Sequence, residues 1–255
     1  MVRDHSIFTQ LLFGTYFALP SVASNSRAGQ VCIDRSYDVK AFRILIADDH
    51  EVVRRGIRAL LEGHPGWEVC GEAEDGREAV EQTRELKPDL VLLDIGMPNL
   101  NGLEAGRQIL SNRPATLILI LTMHQSEQLV REVLDVGARG FLLKSDAGRD
   151  LITAVQAVQQ QQTFFTSHVT DIVVDGYLNP NREKEPSPKN RLTPREREVV
   201  QLLAEGKTSK EVAVALNLSV KTAETHRTNI MRKLDLHSVA DLTLYALRNG
   251  IAQVF

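Results

Sequence analysis

Arg43-Ile44-Leu45-Ile46-Ala47-Asp48-Asp49-His50 is a short apolar run that ends in two carboxylates. Four more short apolar runs follow it: Trp67–Ala73, Leu90–Asp94, Leu117–Leu121 and Gly140–Leu143. The segments between and after them have the hydrophobic spacing of helices, and they lie near 51–62, 76–86, 102–111, 126–136 and 147–161. This alternation is typical of a parallel sheet with crossover helices. The sequence therefore predicts an α/β domain with a five-stranded parallel sheet and five helices.

The alternation stops after Gln162, and residues 179–190 are polar, rich in proline and without a hydrophobic face. Such composition is typical of an exposed linker. We therefore predict an α/β domain over 41–162 and a linker over 163–190 that is partly helical and then flexible. Residues 1–40 only weakly resemble a secretory signal, because polar residues interrupt their apolar run, and we interpret them as a disordered extension.

Residues 191–255 contain strong helix-start signals and no convincing strand. Thr193-Pro194-Arg195-Glu196 places a capping Thr before Pro and Glu, so that both side chains satisfy backbone amides at the helix start. Comparable signals stand at Thr208–Glu211, at Ser219 and at Ser238–Asp241, and Gly206 and Gly250 occur where helices should end. We predict a small all-α domain of four helices.

The net charge of -3 hides an uneven distribution along the chain. Residues 41–166 contain 13 basic and 19 acidic residues, whereas residues 191–255 contain 10 basic and 7 acidic ones. The basic end hints at an anionic partner such as DNA. No long apolar run suggests a membrane span, and Cys32 and Cys70 lack the spacing of a disulfide framework or a metal cluster. These features favour a cytoplasmic protein with reduced thiols and no membrane partner.

Three carboxylates follow strands of the predicted sheet: Asp48 and Asp49 after the first, and Asp94 at the end of the third. Carboxyl ends of parallel strands meet at one edge, so we expect these side chains to converge. A divalent cation with a preference for oxygen ligands would relieve their repulsion, which predicts Mg²⁺ as a cofactor. Thr122 and Lys144 follow the next two strands and would add a hydroxyl and an ammonium.

This set of groups suits phosphoryl transfer to a carboxylate, with Mg²⁺ and Lys144 neutralising the transferred oxygens. Each residue alone has an ordinary explanation, as a surface charge or a helix cap. Their order at successive strand ends is what indicates a site. Together with its flanking residues, the set resembles a bacterial response-regulator receiver domain over about 42–162, and the motifs that carry the resemblance are Ile46–His50, Leu93–Pro98, Leu121–His124, Gly137–Phe141 and Leu142–Ser145.

The resemblance implies a flavodoxin-like (βα)5 fold in which Asp94 is the phosphoacceptor. It further implies that Asp48, Asp49, Asp94 and the carbonyl of Gly96 hold Mg²⁺, that Thr122 and Lys144 contact the phosphate, and that Thr122 and Phe141 act as the switch. Two positions depart from the family pattern, since Asn101 stands where Asp is frequent and Ser145 where Pro is frequent.

The third helix of the last block, from about Val220 to Leu234, has the pattern of a DNA-reading helix. Ala223, Ile230 and Leu234 share an inward sector, whereas Lys221, Thr225, Thr228 and Arg232 point outward, with Glu224 to one side. A polar outer face of this kind fits the major groove of double-stranded DNA. Lys221, Arg232 and Lys233 suit phosphate contacts, which fix position without reading sequence.

With the motifs Leu192–Glu198, Gly206–Ala213 and Val220–Arg227, the last block resembles a LuxR-type helix-turn-helix, and residues 42–255 resemble the NarL/FixJ class of response regulators. This implies that Glu224, Thr225 and Thr228 approach bases, and that Arg227 and Lys233 lie near the DNA backbone. It also implies a sensor histidine kinase as phosphoryl donor and a homodimer when phosphorylated. The expected function is phosphorylation-controlled transcription by a protein that is no enzyme.

Two alternatives come from other classes of function. A Mg²⁺-dependent phosphatase with an Asp nucleophile would require a carboxylic acid two residues after the nucleophile, but Gly96 follows Asp94 and His50 follows Asp48 at that distance. A regulator that binds DNA constitutively would not need the acidic set, although only a binding titration with and without a phosphoryl donor separates it from a switch.

Overall fold

A computed structural model of the protein describes residues 41–123, 127–165 and 192–252. The extension expected over 1–40 and residues 166–190 of the expected linker lie outside the described residues, so both stay predictions.

Within the described residues, six parallel strands form one sheet in the order β2-β1-β3-β4-β5-β6. The flavodoxin-like fold is thereby confirmed, and five strands are those predicted from the sequence. The sixth, β6, is a two-residue strand beside Gly140 and Phe141, and it follows a run of glutamines that gave no strand signal. The strands are β1 Phe42–Ala47, β2 Trp67–Ala73, β3 Leu90–Asp94, β4 Leu117–Thr122, β5 Gly140–Leu143 and β6 Phe164–Phe165.

Among the parts of the chain that the structure describes, five helices cover the two faces of this sheet. They are α1 Glu51–Glu62, α2 Gly76–Leu86, α3 Gly102–Asn112, α4 Glu127–Val136 and α5 Ala147–Gln159, with a 3-10 turn at Lys144–Asp146. Ile57 of α1 and Leu151 of α5 belong to one apolar core, whereas Ala79 of α2, Ile109 of α3 and Val133 of α4 belong to the other. Every residue of β3 and β4 is buried, as central strands covered on both faces require.

The strand register brings the predicted site residues to one edge. Asp94 pairs with Leu121, and Thr122 pairs with Leu143, the residue before Lys144. Ala47, the residue before Asp48, pairs with Leu93. The chemistry-bearing residues therefore leave the sheet at the carboxyl ends of β1, β3, β4 and β5.

The chain after β3 turns back tightly on the sheet at Gly102. Its backbone N–H donates to the carbonyl of Ile95 at 3.0 Å, and a Cβ at this position would lie 2.0 Å from the carbonyl oxygen of Asp94. That oxygen belongs to the backbone and cannot move aside without shifting the end of β3. Gly102 is therefore required for the close approach of α3 to the predicted phosphoacceptor.

The last described segment is a four-helix domain, as predicted, with α6 Pro194–Ala204, α7 Ser209–Ala215, α8 Val220–Lys233 and α9 Val239–Arg248. The capping boxes predicted at Thr193, Thr208 and Ser238 are confirmed, and Ser219 caps α8 through Thr222. Gly206 and Gly250 adopt positive φ angles of 85° and 63° just after helices, as expected for helix ends. Val199, Leu202, Val212, Ala223, Ile230 and Leu242 lie in the core of this domain.

Cys70 is a free, half-buried thiol, whereas Cys32 lies outside the described residues. Within the part of the chain that the structure describes, no helix has the length and apolar character needed to cross a membrane.

Replacing Gly102 with Ala should destabilise the protein by about 1–3 kcal/mol, because the new methyl group would force backbone apart at the end of β3. Chemical unfolding of the full chain measures this change. Gly148→Ala is the matched control, since Gly148 lies in the first turn of α5 with open space at its Cβ position, and it should stay within about 1 kcal/mol of the wild type or gain stability. Equal stability of the two variants would contradict the packing argument.

Candidate functional site

The structure brings the three predicted carboxylates together at the edge of the sheet. Asp48 and Asp94 are buried, Asp49 is half-buried, and one ligand atom from each lies within 4.8 Å of the others and of a ring nitrogen of His50. Asp48 and Asp49 follow β1 and Asp94 ends β3, as the strand pattern predicted. Asp48 and Asp94 are separated by 46 positions in the chain, and the parallel register of β1 and β3 brings them together.

Lys144 neutralises part of this negative charge. Its ammonium Nζ lies 2.7 Å from Asp48 Oδ2 and 3.0 Å from Asp94 Oδ2, and its side chain is buried with them. Thr122 is buried at the same edge, at the end of β4. Phe141, which the family resemblance predicts to act as a switch, is fully buried in the core beneath α2, α3 and α4.

Burial and crowding of like charges perturb the central carboxyl group. Desolvation raises the pKa of Asp94 to about 6, with the neighbouring Asp48 and Asp49 adding to the increase and Lys144 opposing it. The raised pKa means that the folded chain without a bound cation resists ionising Asp94. Ionisation at neutral pH therefore places unfavourable negative charge at this position.

The donor set fits a hard divalent cation. Asp48 Oδ2 and Asp49 Oδ1 are buried; Lys144 Nζ lies 2.7 Å from the first, and His50 Nδ1 lies 2.7 Å from the second. Such oxygens retain lone pairs, and carboxylate oxygens are the ligands that Mg²⁺ prefers. Gly96 lies two residues after Asp94, in the loop between β3 and α3, where it can supply a backbone carbonyl.

Two residues at this site were missed by the sequence analysis. His50 donates its backbone N–H to Asp48 Oδ1 at 2.9 Å, and its ring Nδ1 lies 2.7 Å from Asp49 Oδ1. Arg54 of α1 is buried and donates to the carbonyl of Asp48 at 2.7 Å, which fixes the turn that presents the acidic pair. The adjacency of His50 to the two Asp residues was a usable signal, whereas a charged residue on the first turn of a helix gave none.

The guanidinium of Arg54 also contacts two carboxylates of other residues. It contacts Glu72 at 3.3 Å and Glu74 at 2.6 Å, so the buried positive charge is paired. The arrangement supports the acidic pair through the backbone without adding another ligand to the site.

The predicted reading face of α8 is open to solvent. Lys221, Glu224, Thr225, Thr228 and Arg232 are exposed, and the inward residues Ala223 and Ile230 are buried, as expected. Leu234, the third residue of the predicted inward sector, is half-buried just after the helix.

Arg227 and Lys233 lie at the margin of this face and are half-buried. Lys233 Nζ contacts Glu196 Oε2 of α6 at 2.7 Å, so this ammonium joins the end of α8 to the first helix of the domain. A phosphate contact by Lys233 would compete with this ion pair.

Comparisons with known proteins identify both domains. The family model described as a response regulator receiver domain matches residues 44–156, and the one described as bacterial regulatory proteins of the luxR family matches residues 190–246. Oxygen regulatory protein NreC of Staphylococcus epidermidis is 39% identical over 216 residues, which cover 83% of this chain and 99% of NreC. Transcriptional regulatory protein LiaR of Bacillus subtilis is 38% identical over 209 residues, covering 82% of this chain and 98% of LiaR.

Solved structures of response regulators also match this chain. A structure of the RcsB response regulator of Salmonella typhimurium matches with a TM-score of 0.57 and 29% identity, covering 82% of this chain and 98% of that one. A second RcsB structure, described as bound to the promoter rprA in the presence of the phosphomimetic BeF3-, matches with a TM-score of 0.54 and 30% identity over 80% of this chain and 98% of that one. The chain belongs to the response regulators that join a receiver domain to a LuxR-type helix-turn-helix, the NarL/FixJ class. It is a transcription regulator and not an enzyme.

Asp94→Asn should stabilise the protein in the absence of divalent cations at pH 8 by about 1–3 kcal/mol, because it removes a buried charge. Asp94 has a folded-state pKa of about 6, above its ordinary value of 3.8, so its ionisation lowers stability as the pH rises between these values. The advantage of Asn should therefore be smaller at pH 5 than at pH 8, and it should disappear only below about pH 3.8, where Asp94 is protonated in both the folded and the unfolded chain.

Thermal unfolding in EDTA at both pH values measures this difference. Asp146→Asn, at a less buried carboxylate just after Lys144, serves as the control and should show less than about 1 kcal/mol of change at either pH. A stabilisation by Asp94→Asn that was the same at pH 5 and pH 8 would rule out the burial of a charge as its cause.

Proposed function

We propose that Asp94 accepts a phosphoryl group from a sensor histidine kinase, and that this event controls binding of double-stranded DNA by α8. The observation that carries the proposal is the convergence of Asp48, Asp49 and Asp94 at the carboxyl edge of the sheet, where Lys144 contacts Asp48 and Asp94. The protein would act in the cytoplasm, where kinase and DNA are both accessible.

In the proposed transfer, an oxygen of the Asp94 carboxylate attacks phosphorus while the bond from phosphorus to the donor histidine nitrogen breaks. The products are an acyl phosphate on Asp94 and the imidazole of the donor, which takes up a proton. Asp48, Asp49, Asp94 and the Gly96 carbonyl would hold Mg²⁺, which when bound neutralises charge on the transferred oxygens.

Lys144 begins in contact with both Asp48 and Asp94, so it is already placed to follow the new negative charge on the phosphoryl group. Thr122, at the end of β4, would donate its hydroxyl to a phosphoryl oxygen. Phe141 would then change orientation in the space that Thr122 leaves, and the surface around α4 and β5 would change with it. Phosphorylation has to stabilise this second state over the first, because a group bound equally well by both states shifts nothing.

The open face of α8 supports a role in reading DNA in the major groove. We assign base contacts to Glu224, Thr225 and Thr228, and backbone contacts to Lys221, Arg227, Arg232 and Lys233. We further propose that the phosphorylated protein binds as a homodimer on two half-sites, because one small module buries limited DNA surface. The RcsB structure described above as bound to a promoter supports this use of the fold.

Asp94→Asn should abolish labelling by acetyl phosphate or by a kinase, because the amide is a poor nucleophile toward phosphorus. Phosphate-affinity electrophoresis of the full chain measures the labelled fraction. Asp146→Asn is again the control and should be labelled as the wild type is. Labelling of Asp94→Asn at the wild-type level would reject Asp94 as the acceptor, and equal DNA affinity with and without donor would favour the constitutive regulator.

Glu224→Ala and Thr228→Ala should change the preferred operator sequence, whereas Lys221→Ala should weaken all sequences alike and reduce the slope of log affinity against log salt by about 1. Selection of bound DNA fragments, followed by salt titrations, distinguishes the two effects. Lys210→Ala, an exposed lysine on α7, is the control. An unchanged sequence profile in both of the first two variants would dismiss α8 as the reading helix.

A further inference from the structure

One side chain of the helix-turn-helix domain contacts the loop that follows Asp94 at two points. Gln201 of α6 donates from Nε2 to the carbonyl of Met97 at 2.9 Å, and its Oε1 accepts the N–H of Asn101 at 2.8 Å. Gln201 is only 1% exposed, so water does not compete for these bonds. The loop of residues 95–101 is therefore held by a residue 100 positions away from Asn101.

Neighbouring contacts hold the same loop. Glu205 at the end of α6 accepts the N–H of Asn99 at 3.1 Å, and the ammonium of Lys207 contacts the side-chain oxygen of Asn99. Asn101 caps α3 with its side-chain oxygen and donates its amide to the carbonyl of Ile251 at 3.2 Å. Asn99 has a positive φ of 63°, a conformation that such external hydrogen bonds help to maintain.

The start of the loop is attached to the sheet and to the first residue of α3. Ile95 donates its N–H to the carbonyl of Leu121, and its carbonyl accepts from Gly102. Gly96, the proposed carbonyl ligand of Mg²⁺, thus lies between an anchor to β4 on one side and the Gln201 contact at Met97 on the other. The position of its carbonyl depends on both domains.

The contact between the domains leaves the reading face of α8 exposed. Docking of α6 on the loop therefore does not block base contacts by covering Glu224, Thr225 or Thr228. Any influence that this contact has on phosphorylation must pass through the shape of the loop, since the loop is what the two domains share at this place.

We infer that Gln201 is a positioning residue of the receiver's metal site: through Met97 and Asn101 it holds the loop in the shape that lets Gly96 complete the coordination of Mg²⁺. The inference rests on the proposed metal site. In this docked arrangement the carboxylate ligands are already within reach of one another. Release of the loop would add disorder that Mg²⁺ binding has to remove, which lowers affinity.

Thermodynamic linkage makes the relation reciprocal. If the Gln201 contact raises the affinity for Mg²⁺ by some factor, bound Mg²⁺ strengthens the docking of α6 on the loop by the same factor. The DNA-binding domain would in this way affect how readily the receiver loads its cation, before any phosphoryl group arrives.

The test is a calorimetric titration of the full chain with MgCl₂, comparing the wild type with Gln201→Met and Gln108→Met. Each substitution replaces an amide with an apolar side chain of similar length, and each removes a hydrogen bond between the domains. Gln108 of α3 donates to Glu198 of α6 at 3.0 Å, a hydrogen bond between the domains that does not involve the loop of residues 95–101. We expect the dissociation constant for Mg²⁺ to rise at least about fivefold in Gln201→Met and to stay within about twofold in Gln108→Met.

Two results would overturn the inference: an unchanged dissociation constant in Gln201→Met, or an equal increase in Gln108→Met, which would assign the effect to docking in general. Should Gln201→Met fail to fold, Glu205→Ala is the second variant, because it removes the acceptor of the Asn99 N–H. It should also raise the dissociation constant for Mg²⁺, and an unchanged constant would count against the inference. Absence of Mg²⁺ binding in the wild type would instead refute the proposed metal site itself, so the two failures are distinguishable.

Discussion

Negative charge concentrated at one edge of a parallel sheet is the constraint on which the rest of this structure depends. Asp48 and Asp94 are buried side by side, and Lys144 lies within 3.0 Å of both. The ammonium of Lys144 does not balance three carboxylates, and the pKa of Asp94 is raised chiefly by burial, with the repulsion from Asp48 and Asp49 adding to the increase. Such a site becomes more stable when a cation binds or when a covalent modification redistributes the charge, and this makes it suitable for a switch.

Keeping these charges in place requires rigid surroundings. Arg54 fixes the turn that carries the acidic pair, and Gly102 lets α3 begin against the carbonyl of Asp94. Both act on the backbone and leave the carboxylate oxygens available. The structure therefore separates the groups that hold the site in shape from the groups that do its chemistry.

The helix-turn-helix domain contributes to that rigidity while its own reading face stays exposed. Its first helix contacts the receiver through Gln201, Glu205 and Glu198, whereas α8 presents its polar face to solvent. The first helix of this small domain thus faces the loop after Asp94, and another helix, α8, leaves its polar face open to solvent.

The sequence by itself determined the parallel α/β fold, the four capped helices of the second domain and the positions of Asp48, Asp49, Asp94, Thr122 and Lys144 at strand ends. It could do so because the spacing of apolar residues and the capping residues act over a few positions, and because parallel strands place their carboxyl ends at one edge of the sheet.

Only the tertiary structure decided that Lys233 pairs with Glu196, that Arg54 supports the acidic turn and that Gln201 bridges Met97 and Asn101. Lys233 and Gln201 contact partners far away in the chain, whereas Arg54 contacts a backbone carbonyl six residues before it, and a lone Gln, Lys or Arg carries no periodic signal. Their partners are set by how helices pack against the sheet and against each other, which local sequence patterns do not encode.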